Sequence, residues 1–226
     1  MSWVLANLPT IAGHLLAHLL QAVPAIVASF VLAIPIARLA RTARPLRAVL
    51  VTGSSLLYAV PSLALFVVLP IILATGIRDP LNVIVALTLY GLALLVPATA
   101  DALDAVDARV LDAATAMGMG RLRCFLTVEL PLAGPAILTG LRVVTVSTIS
   151  LTTVGAVLGV RSLGWLFTDG FQRGITAEIV TGLVATAALA LVLDGLVLAL
   201  GRLCLPWTWK RAEAGAAVSQ NQEGTA

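Results

Sequence analysis

Residues 112–131, DAATAMGMGRLRCFLTVELP, are polar and helix-like, yet apolar runs flank them on both sides. Upstream, residues 80–100 contain no Asp, Glu, Lys or Arg; downstream, residues 130–160 contain only Arg142. Further out, residues 10–37 and 48–77 are free of those four types, and residues 179–201 contain only Asp194. Each run reaches the ~20 residues that a bilayer helix needs. The chain has 226 residues, 60% hydrophobic and 11% charged, with a mean hydropathy of +1.05. Soluble domains carry roughly 25% charged residues, so a water-facing globule is excluded. The reading is an all-α integral membrane protein of about five transmembrane helices, with the 101–130 segment held in water between the third and fourth.

Basic residues mark the cytoplasmic loops. Arg38, Arg41, Arg44 and Arg47 follow the first run, Arg109, Arg121 and Arg123 lie in the central segment, and Arg202, Lys210 and Arg211 follow the last. The alternate loops hold Arg78, Arg161 and Arg173. The N-terminus is therefore expected outside and the C-terminus inside, as an odd number of spans requires. The net charge of +3 is accounted for by topology, and nucleic acid is not an expected partner. The first run is too long for a signal peptide and no basic residue precedes it, so it is expected to be retained. Cys124 and Cys204 fall on the cytoplasmic side, where a disulfide is not expected. Trp207 and Trp209 beside Lys210 and Arg211 suit an interfacial anchor, and the small, polar remainder of the 207–226 tail is expected to be disordered.

Between Ala102 and Gly118, Leu103, Val106, Val110, Ala114 and Met117 recur every three or four residues, which predicts one amphipathic helix. Gly118 and Gly120 would end it, since glycine accepts the left-handed conformation of a helix C-cap. Such a helix serves either as a lever whose apolar face enters a partner's cleft, or as an interfacial helix lying on lipid. The segment resembles the EAA signature of binding-protein-dependent ABC importer permeases. Asp112-Ala113-Ala114 stands for Glu-Ala-Ala, Gly118 follows at the family's spacing, and Val128, Leu130 and Pro131 complete it, with Asp in place of the usual Glu. Further segments resemble the branch importing glycine betaine, carnitine, choline or proline-like osmolytes: Val60 to Leu65, Met117 to Gly120, Glu129 to Leu132, Gly140 to Arg142 and Ser162 to Gly164. Tyr58 replaces a common Gln, and Val160-Arg161 replaces a glycine-rich stretch.

The resemblance implies a type I ABC importer permease fold in the bacterial cell membrane, with a transmembrane domain over residues 1–206 and a cytoplasmic coupling helix. Asp112, Ala113, Ala114, Met117, Gly118, Leu130 and Pro131 would couple to a separate ATPase subunit that binds ATP and Mg. An extracytoplasmic substrate-binding protein and a second permease subunit, identical or homologous, would complete the complex in the lipid bilayer. This chain itself is expected to bind no cofactor and catalyse nothing. A Walker A loop ends in Gly-Lys-Ser/Thr, whereas the only lysine, Lys210, precedes Arg211. The expected cargo is a quaternary ammonium compatible solute; an amino acid or a thiol-containing betaine is the alternative within the family. An ion-driven secondary transporter is the alternative outside it, but usually needs midplane carboxylates and inverted repeats.

Candidates for the solute path are Pro61 and Ser62, where proline should interrupt the second span, and Thr145, Thr148 and Thr152, which share a helix face. That hydroxyl stripe serves equally well in helix packing. Gly155 and Gly159 form a GxxxG pattern in the same span. Arg142 and Asp194 lie at similar depths, roughly 12–17 Å from the cytoplasmic edge at ~1.5 Å per residue, and are expected to pair because a lone charge in a span is costly. His14 and His18, four apart, read as an interfacial pair, with no third ligand for a metal nearby. Arg161 to Phe167 is expected either to form a short interfacial helix that meets a binding protein or to cap the fourth span.

Overall fold

The computed structural model describes residues 2–207, and all regular structure among them is helical. Helices α1 (Ser2–Ala6) and α2 (Leu8–Ala40) are followed by α3 (Arg44–Arg47), a π-helical turn (Ala48–Thr52), α4 (Gly53–Leu57) and α5 (Ser62–Leu73). Then come α6 (Pro80–Asp104), α7 (Ala108–Ala116) and α8 (Arg121–Cys124). A second π-helical turn (Phe125–Glu129) leads into α9 (Leu130–Thr152), which ends in a 3-10 turn (Thr153–Leu158). Helices α10 (Trp165–Arg173) and α11 (Thr176–Cys204) close the fold. The expected anchor of Trp209, Lys210 and Arg211 and the tail beyond lie outside the described residues.

Four continuous apolar helices are long enough to cross a membrane: Leu8–Ala40, Pro80–Asp104, Arg121–Leu158 and Thr176–Cys204. The remaining span, second in chain order, is broken into Pro45–Leu57 and Ser62–Leu73, bent by 109°. Pro61 offers no N–H to a continuing helix and adopts an extended conformation (φ −60°, ψ 128°) immediately before α5. The fourth span starts at Arg121, earlier than residue 130, because the π-helical turn continues the helix through Phe125–Glu129.

The core is built on close helix approach. Ala22, Ala25, Ser29, Ala33, Ala37 and Ala40 form a fully buried stripe on α2, and small residues let membrane helices approach closely. Facing it on α6 are Ala86, Gly91 and Ala100. Ser29 donates its hydroxyl to the Ala25 carbonyl (2.7 Å) and to Thr88 O on α6 (3.2 Å). A Cβ on Gly91 would stand 2.7 Å from Ser29 Cβ, so only glycine fits that crossing. α6 begins where Asp79 caps it, Oδ1 accepting from Leu81 N at 2.9 Å.

The GxxxG pair does not share a helix face. Gly155 packs on Val83, but Gly159 ends the 3-10 turn at φ +81° and carries the chain out of the helix. The segment after it turns at Arg161 to Gly164, and the short helix begins only at Trp165.

Candidate coupling site and solute path

The water-facing segment between the third and fourth spans is two helices, not one. α6 runs on to Asp104, and α7 starts afresh at Ala108 because Asp107 leaves the helical region (φ −60°, ψ 120°) and caps it, Oδ1 accepting from Arg109 N at 2.9 Å. The Arg109 guanidinium also grips Asp107 (Nη2–Oδ2 2.8 Å) and holds its carboxyl below the usual range. Stability from a lowered carboxyl pKa is present above the unfolded value and lost as pH falls through the folded one, so this cap is intact at neutral pH.

At the other end, Gly118 takes φ +82°. Its N–H donates to Thr115 O (2.9 Å), and Met119 N–H donates to Ala114 O (3.2 Å). These are the paired bonds of a Schellman turn. Gly120 instead adopts φ −66°, ψ 156° as the residue before α8; its role is to open the next helix, not to end this one.

The break at Asp107 splits the predicted apolar stripe. Leu103 is buried in the α2–α6–α9 core with Val106 packed against it. Ala114 is 2% exposed, seated on the helical base, whereas Val110 and Met117 are 42% and 72% exposed. Asp112 and Ala113 are exposed as well. The outward apolar face of α7 is therefore Val110, Ala113 and Met117, spaced i, i+3 and i+7. Leu130 and Pro131 lie apart from it, inside the fourth span, Leu130 packed on the core and Pro131 lining an apolar cavity between α2, α9 and α11.

Beneath α7 lies an ionic base that sequence reasoning missed. Arg41, at the end of α2, pairs with Glu129 in the π-helical turn and with Asp104 at the end of α6 (Nε–Oδ1 2.7 Å). Arg47 pairs with Asp104 and reaches Asp101 (3.3 Å). The Arg38 guanidinium lies 4.1 Å over the Phe125 ring, a cation–π contact. Charge alternation alone could not assign these partners, because they come together only when α2, α6 and the fourth span pack.

The broken span is tied to α6 by Tyr90, whose hydroxyl donates to Val60 O at 2.5 Å. Tyr58, at the break, meets Tyr90 edge to face with centroids 5.9 Å apart. Pro61 is exposed and Ser62 half-buried. Thr145, Thr148 and Thr152 are buried within the subunit. Thr145 donates to Leu141 O (2.9 Å) and Thr152 to Thr148 O (2.7 Å), so these two hydroxyls are satisfied within their own helix.

Residues 25–209 match the family described as binding-protein-dependent transport system inner membrane component. This chain belongs to that family. The permease is 33% identical over 151 residues to the ergothioneine transport permease/ergothioneine binding protein EgtU of Helicobacter pylori (strain G27), covering 67% of this chain but only 27% of that protein. It is 29% identical over 178 residues to the glycine betaine/carnitine/choline transport system permease protein OpuCD of Bacillus subtilis (strain 168), covering 78% and 76%. Its fold is that of the MetNI methionine ABC transporter in an inward-facing form, with a TM-score of 0.75 at 19% identity over 86% of this chain and 95% of that one. Members of the family are non-catalytic membrane permease subunits of ABC importers.

Within the permease, Arg142 on α9 and Asp194 on α11 meet fork to fork, Nε–Oδ1 2.8 Å and Nη2–Oδ2 2.6 Å. His14 and His18 are buried, His14 stacked on Trp165 with centroids 6.0 Å apart. α2 begins at Leu8, so both lie within the helix and face its neighbours. Cys124 is buried and Cys204 exposed, both as free thiols.

Proposed function

We propose that this permease passes a quaternary ammonium compatible solute, such as glycine betaine, choline or carnitine, across the bacterial inner membrane. An extracytoplasmic binding protein delivers the solute, and ATP and Mg are bound by a separate ATPase subunit. Residues 1–206 act as the transmembrane domain. The observation that carries the reading is α7: a helix capped at both ends, held to the fold by buried Ala114, with Val110, Ala113 and Met117 facing outward. An amphipathic helix of this kind fits a hydrophobic cleft, and the ATPase would supply one. Asp112 flanks that face, Gly118 fixes its end, and Leu130 and Pro131 carry the motion into the fourth span.

A second permease subunit, related by a twofold axis, would enclose the path, since one subunit leaves Pro61 exposed at the break and Ser62 only half-buried. Likeness to OpuCD supports the betaine and choline class. Likeness to EgtU favours a second reading, a thiol-containing betaine.

Uptake into proteoliposomes holding permease, ATPase and binding protein tests the solute class. Labelled glycine betaine is expected to accumulate only with ATP, with choline, carnitine or ergothioneine competing. Accumulation of an amino acid that none of these displaces would overturn the assignment.

A further inference from the structure

On the face opposite α7, a cavity of about 400 Å³ is lined by Gln21, Arg78, Gly159 and Arg161, with Ala17 and Pro80. Two of the three basic residues expected on that outer face therefore share one hollow. The third, Arg173, is neutralised by Asp169 at 3.0 Å. Asp79 is used as the cap of α6 and Glu178 is buried. Neither Arg78 nor Arg161 forms an ion pair among the described residues, and both are exposed.

The fold builds this arrangement. Gly159 turns at φ +81°, and a Cβ there would stand 3.1 Å from Arg78 Nε, so any side chain would crowd the guanidinium. Gln21, itself buried, donates from Nε2 to Ala17 O (2.7 Å) and across to Arg161 O (2.7 Å), fixing the loop that carries the second arginine. Two like charges set on one hollow repel each other unless an anion joins them.

The geometry points to Arg78 and Arg161 as a docking pair for carboxylate side chains on the extracytoplasmic binding protein; this rests on the import reading above. The arginines project from surface turns, at Arg78 to Pro80 and Val160 to Arg161, and not from within a span. Position favours a protein surface over the solute's own carboxylate, because the solute reaches this face enclosed by its carrier. Exposed complementary charge acts mainly on association rate and salt dependence.

The test uses the reconstituted complex of permease and ATPase with the binding protein that supports wild-type uptake. ATP hydrolysis is followed against binding-protein concentration for the wild type, for Arg78→Gln with Arg161→Gln, and for Arg173→Gln. The double variant should need about tenfold more binding protein for half-maximal stimulation, reach the same maximum, and lose most of the wild type's sensitivity to NaCl. Arg173→Gln should match the wild type. An unchanged half-saturation or salt slope overturns the docking pair. So does a defect that follows the solute (glycine betaine impaired, choline spared) at saturating binding protein, which would assign the site to the solute's carboxylate. A defect seen only in vesicles containing anionic lipid would assign it to headgroup effects and also overturn it. A wild type that no binding protein stimulates would instead bring down the import reading beneath it.

Discussion

Arg142 and Asp194 show what a charge inside a span requires. The guanidinium and carboxylate match in a bidentate fork, the geometry for which arginine is suited better than lysine. Removing one partner leaves the other charge in the span without compensation. Removing both leaves an apolar contact that can be nearly neutral. Arg142→Leu and Asp194→Leu are each expected to lower the thermal midpoint of the purified permease and its membrane yield, and the double variant is expected to recover most of the loss. Thermal unfolding in detergent of all four proteins checks this. A double variant as unstable as the worse single one would show that the pair does not act as a unit.

Among elements, the crossing of α2 and α6 depends on Gly91. A Cβ at that position stands 2.7 Å from Ser29 Cβ and 3.2 Å from Val144 Cγ1, whereas nothing lies within 4 Å of one at Gly13. Gly91→Val should therefore part the helices and lower stability by about 1–3 kcal/mol, while Gly13→Ala should be silent; paired melting curves decide. The same scale shows where sequence was informative. Proline's missing N–H located the break at Pro61, and the glycine before Met119 located the end of α7, because both are local chemical requirements. The 109° bend itself depends on what α5 packs against, which no local pattern encodes. Periodicity failed between Leu103 and Val110 for a physical reason. Leu103 and Val106 are apolar because they face the core and Val110 is apolar on the outside, and Asp107 separates the two roles. The ionic base under α7 was invisible for a related reason, since Arg41, Asp104 and Glu129 come from three different parts of the chain.

At the scale of the whole molecule, the permease has two working faces joined by spans. One carries the capped helix α7 on its ionic base; the other carries the arginine-lined hollow around Gly159. Between them the broken α4–α5 span is pinned to α6 through Tyr90 and Val60, and the long fourth span runs from the ionic base to the outer turn. A push on α7 has a continuous helical route to the opposite face through Arg121–Leu158. We propose that ATP hydrolysed by a partner drives the solute path through α7. It is tested most directly by ATP-driven glycine betaine uptake in proteoliposomes, comparing the wild type with Val110→Asp/Met117→Asp, changes confined to the exposed face. Uptake should fall by at least about tenfold, as expected when charges replace apolar anchors at an interface, with membrane insertion and thermal midpoint unchanged. Full uptake by the doubly charged variant, or equal uptake by the wild type without any ATPase, would contradict it.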